Sequence, residues 1–351
     1  MSETEHEPAT GLRGVLLINL GTPASPAVSD VRRYLREFLS DPRVIDLSAV
    51  ARWLFLHLIV LPFRPRQSAA AYRKIWTDRG SPLLFHGTDL AAKVGRTLAA
   101  PVELGMRYQE PSIAAALRKL AACTLERIAV LPLFPQYSAA AWASAVEKLH
   151  AEARKLPNLP PLEVVPPFYG APAFVAALAA TTVPHLAMFQ PDRVLMSFHG
   201  LPVRHVQDSD LSGGRHCLVR PDCCAKMGPA NHYCYRAQCH ATARALAQKL
   251  QLDDDHYEVS FQSRMGRTAW IDPDTHKRLQ ELPLEGCRRL LVVCPAFVAD
   301  CLETLEEIGI RGRETFLAAG GEELRLVPCL NSAQPWVDGV VKLLGPNRST
   351  T

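Results

Sequence analysis

The chain has no Gly-x-Gly-x-x-Gly after its first apolar run and no Gly-Lys-Ser/Thr loop at any position. The backbone cradles of dinucleotide and P-loop sites are therefore missing, and no nucleotide cofactor is expected. It also lacks a Lys/Arg-rich block or any interleaving of basic and aromatic residues, and its formal net charge is only +4 over 351 residues. Nucleic acid is not an expected partner. No apolar run reaches the ~20 residues needed to cross a bilayer, so no integral membrane segment is expected. Residues 1–11 are polar and acidic, without the basic and apolar regions of a secretory signal, which places the chain in the cytoplasm as an expectation. Reduced thiols are then expected in place of a disulfide framework.

With 48% hydrophobic and 21% charged residues, the chain can bury a large core, most simply in two domains. Short apolar runs alternate with longer amphipathic stretches, the pattern of parallel sheets with helical crossovers. Eight strands are predicted, at 14–20, 102–106, 127–133, 162–166, 193–198, 257–261, 289–294 and 324–328. The second four repeat the first in order: Gly21-Thr-Pro follows the first strand as Gly200-Leu-Pro follows the fifth. The fold class is therefore α/β, with two similar halves, each a parallel four-stranded sheet flanked by helices. The halves are expected at 11–175 and 176–330, with a carboxy-terminal segment at 331–351.

Parallel sheets bind ligands beyond the carboxyl ends of their strands, and polar residues gather there: Asn19 to Pro23, Arg107-Tyr108, Gln136 to Ser138, His199, Ser263-Arg264 and Asp300. A cleft between the halves could hold them all. A helix starting near Asp300 would set Asp300, Glu303 and Glu307 on one face, three and four residues apart. Such a row could accept a divalent cation or relay protons; acids at a helix start also suit the macrodipole in plain solvent. His199 ends an apolar run, and would face that row. A histidine so placed is often structural, but with carboxylates across one cleft it forms a metal-handling pair.

Half of the ten cysteines, Cys217, Cys223, Cys224, Cys234 and Cys239, fall within 23 residues. Thiols at this density suggest a soft-metal or iron–sulfur site. Structural zinc is the competing assignment, although the paired Cys-x2-Cys knuckles of zinc ribbons are absent. The other five cysteines lie in or beside apolar runs and read as small core residues.

Taken in order, Asn19-Leu-Gly-Thr-Pro, Val31-Arg-Arg-Tyr-Leu-Arg-Glu-Phe-Leu-Ser-Asp-Pro, Gly80-Ser-Pro-Leu, Gly105-Met-Arg-Tyr, Leu131-Pro-Leu-Phe-Pro-Gln-Tyr-Ser, Ser197-Phe-His-Gly-Leu-Pro, Phe261-Gln-Ser-Arg and Cys294-Pro-Ala-Phe-Val-Ala-Asp-Cys-Leu-Glu-Thr-Leu-Glu-Glu resemble ferrochelatase. The resemblance runs from about Gly11 to Trp336. It implies two Rossmann-like halves and insertion of ferrous iron into protoporphyrin IX at the end of haem synthesis. Carried over by position, it implies His199 and Glu303 as the essential histidine and glutamate. It extends the acidic path, and the set that meets the iron substrate, to Glu307 and Asp300. Tyr72, Ser81, Arg107, Tyr108 and Phe297 are implied at the porphyrin, with Arg107 a candidate to pair a propionate or, equally, to form a surface salt bridge. A coproporphyrin chelatase is the nearest alternative, and a non-catalytic haem-binding or redox-sensing iron–sulfur protein is the alternative of a different class.

The segment with Cys217, Cys223, Cys224 and Cys234 departs from the commonest bacterial pattern as an insertion ahead of Tyr235-Arg-Ala-Gln-Cys. It is similar to cluster-bearing ferrochelatases, which implies a [2Fe-2S] centre on these four thiolates, with Cys239 as the alternative ligand. Trp53 to Phe63 is strongly apolar and is followed by Arg64 and Arg66. It reads either as a buried helix or, as the resemblance implies, as a lip beside the cleft that touches the inner membrane face peripherally. Oligomeric state is not encoded in any recognisable pattern.

Overall fold

A computed structural model of the chain describes residues 13–345 apart from 265 and 267. The acidic amino-terminal stretch and the last six residues lie outside the described residues. Two four-stranded sheets form. The first comprises β1 (Arg13–Gly21), β2 (Val102–Tyr108), β3 (Arg127–Pro132) and β4 (Leu162–Val164) in the order β2-β1-β3-β4. The second comprises β5 (Arg193–His199), β6 (Tyr257–Gln262), β7 (Arg289–Val293) and β8 (Glu323–Leu326) in the order β6-β5-β7-β8. Every pairing is parallel.

These strands read as unbroken apolar runs because helices cover both faces of each sheet. Val15, Leu16, Leu17 and Ile18 of β1 are all fully buried, as are Val194, Leu195 and Met196 of β5, where an open sheet would show alternation. In both sheets the first strand is central, and the chain leaves it for neighbours on opposite sides. That is the switch point at which the loops diverge and open a crevice. Gly21 closes β1 at φ +124°, and a Cβ there would lie 2.1 Å from the carbonyl oxygen of Tyr108, so only glycine permits the turn.

The two halves share one core. Buried residues from both sheets join around the helix Pro172–Phe189, which packs against the helices Tyr235–Leu250 and Gln334–Leu344. This helix is long and apolar enough to cross a membrane by length and composition. Its buried Phe174, Val175, Ala177 and Leu178 instead make it a core element between the halves. The carboxy-terminal segment returns to the first half. Trp336 is fully buried against Phe168 and Phe174, with ring centroids 5.8 and 5.9 Å away, and Arg13 donates to the carbonyl of Gly345 at 3.1 Å.

The apolar stretch near residue 55 is a helix, Ala49–Leu54, continuing as a π-helix, Phe55–Val60, and then the helix Leu61–Ile75. Leu56, Val60 and Leu61 are buried, while Trp53, Leu58, Ile59 and Phe63 are 56%, 63%, 57% and 74% exposed. It is thus a two-sided element: one face is core and the other presents an apolar surface.

Candidate active site

The carboxyl ends of β1 and β5 open on one cleft with about 1150 Å³ of unfilled space, mouth included. From the first half it receives Asn19, Thr22, Tyr34, Tyr72, Ser81 and Gln136; from the second, His199, Tyr235, Phe297, Leu302 and Glu303. No Lys or Arg is among its described lining residues. The hydroxyls of Thr22 and Ser81, both buried, lie 2.8 Å apart. Asn19 accepts the N–H of Leu20 at 2.8 Å, while its own amide nitrogen is buried without a partner among the described residues.

His199 is the last residue of β5 and pairs in register with Gln262 of β6. Its Nδ1 lies 2.6 Å from the carbonyl of Gly200. A carbonyl only accepts, so Nδ1 carries the proton and Nε2 is left with a free lone pair in the neutral ring. Phe297 packs beside the imidazole with centroids 6.2 Å apart.

Glu303 opens a ten-residue π-helix, Glu303–Gly312. Winding through i→i+5 bonds is uncommon and concentrates at functional sites. It brings residues four apart nearly into line, so Glu303 and Glu307 share a side. Glu307 lies behind the cleft wall, where its two carboxylate oxygens accept the N–H and the hydroxyl of Ser263 at 2.8 and 2.7 Å. Burial pushes its carboxyl up, and the nearby charge of Glu303 adds to the effect while Ser263 and His199 oppose it. The phenols of Tyr34 and Tyr72 stand near Glu303, and burial holds both well above the ordinary value. They remain neutral donors there.

Three sequence-derived positions fall elsewhere. Asp300 precedes the helix instead of sharing its face. Its carboxylate accepts the N–H of Cys329 at 3.0 Å and the amide of Asn331 at 2.7 Å, which anchors the loop before the π-helix. Arg107 and Tyr108 do not line the cleft. Arg107 donates to Asp41 at 2.6 Å and to the Ser144 hydroxyl at 2.7 Å, and the Tyr108 hydroxyl donates to the same Asp41 oxygen at 2.8 Å. The salt-bridge alternative for Arg107 is the arrangement present, with a buried partner. Tyr72, Ser81, Phe297, His199 and Glu303 do come together on the cleft.

Tyr34 was not singled out from sequence. Its signal was available: Tyr34 and Phe38 stand four apart in the amphipathic helix Val28–Ser40, and their rings stack at 5.8 Å on the cleft side. Gln262 carried no such signal, since its role lies in a tertiary contact: its side chain accepts from the Ser197 hydroxyl at 2.8 Å and donates to the main-chain carbonyl of Glu303 at 2.7 Å.

The cysteine-rich segment forms a separate buried pocket at the start of the helix Tyr235–Leu250. Cys217, Cys223, Cys224 and Cys234 are all buried. The sulfurs of Cys223 and Cys224 are 3.8 Å apart, and the Cys234 thiol engages those of Cys217 and Cys224. Burial pushes the thiols of Cys217 and Cys223 up; that of Cys224 rises first through Cys234 and then through burial. Asp210 holds the loop by accepting the N–H groups of His216 and Cys217 at 2.9 and 2.8 Å. The Cys239 thiol is turned to Tyr235. The four sulfurs are linked in a chain of contacts, Cys217 to Cys234 to Cys224 to Cys223, and among the described residues no three or more His, Cys, Asp or Glu side chains form a group that could hold a metal ion.

The family model described as Ferrochelatase matches residues 12–347. The chain is 47% identical over 334 residues to the ferrochelatase of Coxiella burnetii (strain CbuK_Q154), covering 94% of this chain and 92% of that one. It is 47% identical over 333 residues to the ferrochelatase of Stutzerimonas stutzeri (strain A1501), covering 94% and 97%. Among solved structures, SirB from Bacillus subtilis with Fe3+ superposes with a TM-score of 0.50 at 14% identity, covering 95% of this chain and 93% of that one. That likeness is one of fold: two parallel sheets of the chelatase type.

Proposed function

The chain belongs to the ferrochelatase family and is an enzyme that inserts iron into porphyrin, and we propose that His199 and Glu303 carry that step in the cleft between the half-sheets. The carrying observation is that both line one cleft, with the Nδ1 proton of His199 committed to the Gly200 carbonyl. Metallation takes Fe2+ into the ring and releases two pyrrole protons. A flat macrocycle directs its nitrogen lone pairs inward, so a wall that favours a bent ring lowers the barrier by complementarity to the transition state. The free lone pair of His199 Nε2 accepts a pyrrole proton. Glu303 meets the metal or takes the second proton, and Glu307 passes charge from behind, held by Ser263. Asp300 acts in this scheme by anchoring the loop.

Protoporphyrin IX is the proposed porphyrin. The absence of Lys and Arg from the described lining favours a ring with two propionates over coproporphyrin with four carboxylates, because each buried anion needs a partner. Competition between the two porphyrins for Fe2+ under anaerobic conditions tests this choice. Faster turnover of coproporphyrin would reverse it.

The four inserted cysteines are proposed as ligands of a [2Fe-2S] centre. The donor chemistry supports this: four buried sulfurs linked in a chain of contacts, with N–H donors directed at them from Leu218 and Arg236, the kind of hydrogen bonding that tunes such centres. The Tyr235 contact of Cys239 argues for the four over the alternative ligand. When bound, the group would supply one-electron redox chemistry; the insertion step above needs none. The exposed apolar face with Trp53, Leu58, Ile59 and Phe63 is proposed to dip into the membrane surface beside Arg64 and Arg66, keeping the enzyme peripheral to the cytoplasmic leaflet.

A further inference from the structure

Glu306 stands in the first turn of the π-helix Glu303–Gly312, between Glu303 and Glu307 in sequence, but it is not among the described lining of the cleft. Its side chain is only 4% exposed, and a carboxylate so deeply buried needs partners. Two cations meet it. Arg311 donates from Nε to one carboxylate oxygen at 2.7 Å, and Lys74 donates from Nζ to the other at 3.1 Å.

Each pair fixes something different. Arg311 follows Glu306 by five residues on the same helix. At 3.6 residues per turn, five residues of α-helix rotate a side chain to about 140° from its starting direction, and α-helical neighbours are three or four apart. The wider π winding, in which the N–H of Arg313 reaches the carbonyl of Ile308, brings positions five apart closer together, so the Glu306–Arg311 pair favours this winding over an α turn. Lys74 belongs to the other half of the molecule. It lies on the helix Leu61–Ile75, two residues after Tyr72, which lines the cleft. Beside the ion pair, Leu302 and Leu305 pack against Val31, Ala69, Tyr72 and Ile75. The lysine therefore docks the helix that carries Glu303 onto the helix that carries Tyr72, and joins two walls of the cleft.

We propose that Glu306 is a positioning residue for iron insertion: its pair with Arg311 holds the π winding, its pair with Lys74 docks that helix across the halves, and together they aim Glu303 into the cleft. This rests on the reading of Glu303 given above. Lys74 is 47% exposed and Arg311 58%, and between exposed partners such pairs would contribute little. Here the shared anion is buried, so removing a cation leaves a charge that water cannot reach, and the first turn of the helix relieves it by moving.

The test uses the full-length protein with Fe2+ and protoporphyrin IX under anaerobic conditions, as wild type, Glu306→Gln, Lys74→Met, Lys74→Arg, Glu303→Gln and the double variant Glu303→Gln/Glu306→Gln. Glu306→Gln should lower kcat about 10-fold with the porphyrin KM within about 2-fold of wild type, the split that follows when a reacting group is misplaced and the binding surface is not. Lys74→Met should lower kcat about 3-fold, and Lys74→Arg, which keeps the charge, should stay near wild type. Because Glu306 acts through Glu303, adding Glu306→Gln to Glu303→Gln should cost less than about 2-fold more. A second full 10-fold loss in the double variant would mean that Glu306 serves the fold at large, and would overturn the inference, as would an unchanged kcat in Glu306→Gln. If Glu306→Gln does not fold, Lys74 decides: a loss in Lys74→Met that is absent from Lys74→Arg supports the inference, and normal kcat in Lys74→Met overturns it. Near-normal turnover in Glu303→Gln would remove the underlying reading of Glu303, and this inference with it, whereas an inactive Glu303→Gln beside a fully active Glu306→Gln would sink the role of Glu306 alone.

Discussion

Gln262 donates its side-chain N–H to the main-chain carbonyl of Glu303 at 2.7 Å. Because Gln262 is also the register partner of His199, this one contact ties the strand beside the proposed base to the first residue of the helix that carries the proposed carboxylate. The acceptor end of the same amide takes the Ser197 hydroxyl at 2.8 Å, inside a buried network with Thr275. The relative placement of His199 and Glu303 is therefore tied by a side chain that is not among the described lining of the cleft.

Gln262→Met removes both hydrogen bonds at similar volume. Turnover should fall about 10- to 100-fold, the scale of a modest misplacement of reacting groups, with porphyrin affinity nearly unchanged. Steady-state kinetics alongside porphyrin fluorescence titration separate the two. Normal kcat would mean that the tie is only structural.

Glu303→Gln keeps shape and loses charge. A drop in kcat of at least ~100-fold is expected, as for loss of a general acid or base, while porphyrin still binds. A variant with near-normal turnover would take Glu303 out of the chemistry.

Asp41 accepts from Ser144, Tyr108 and Arg107 within 2.8 Å. Burial acts to raise its carboxyl, but donation from Ser144, the Arg43 backbone and Tyr108, with the charge of Arg107, outweighs that and holds it below the usual range. A depressed folded pKa contributes stability that is complete above the unfolded value of about 3.9 and is lost as pH falls through the folded one. Asp41→Asn should lower the melting temperature at pH 7 and flatten its decline below pH 4. Equal melting curves for variant and wild type across that range would contradict the assignment.

On the lip, Trp53, Leu58, Ile59 and Phe63 are more than half exposed, so their joint replacement by Ser should leave the fold and the melting temperature close to wild type. Liposome flotation should weaken, since each apolar side chain withdrawn from water contributes roughly 1.5–3 kcal/mol. Undiminished flotation would reassign this face.

All eight strands were legible in the sequence because buried parallel strands leave continuous apolar runs, and their ends differ from expectation by no more than two residues. The cleft was legible in part, since polar residues at strand ends must face the crevice region. Strand position does not reveal which way a side chain turns, and so Arg107 and Tyr108 were expected at the porphyrin although Asp41, in a loop far away in sequence, holds both. The π-helix was also hidden. Spacings of three and four look the same for α and π winding, so the face shared by Asp300, Glu303 and Glu307 in an α-helix dissolves once the helix starts at Glu303. The contacts of the inserted thiols, and the turn of Cys239 toward Tyr235, depend on loop geometry that Asp210 and Asn231 impose through hydrogen bonds.

The most direct measurement is an anaerobic assay of purified wild type and His199→Ala with Fe2+ and protoporphyrin IX, following loss of porphyrin fluorescence and growth of the haem absorption band. Wild type should form haem. His199→Ala should bind porphyrin, keep any visible colour of its cysteine pocket and form haem at least ~100-fold more slowly. Haem formation by His199→Ala at the wild-type rate would contradict the proposed reaction centre.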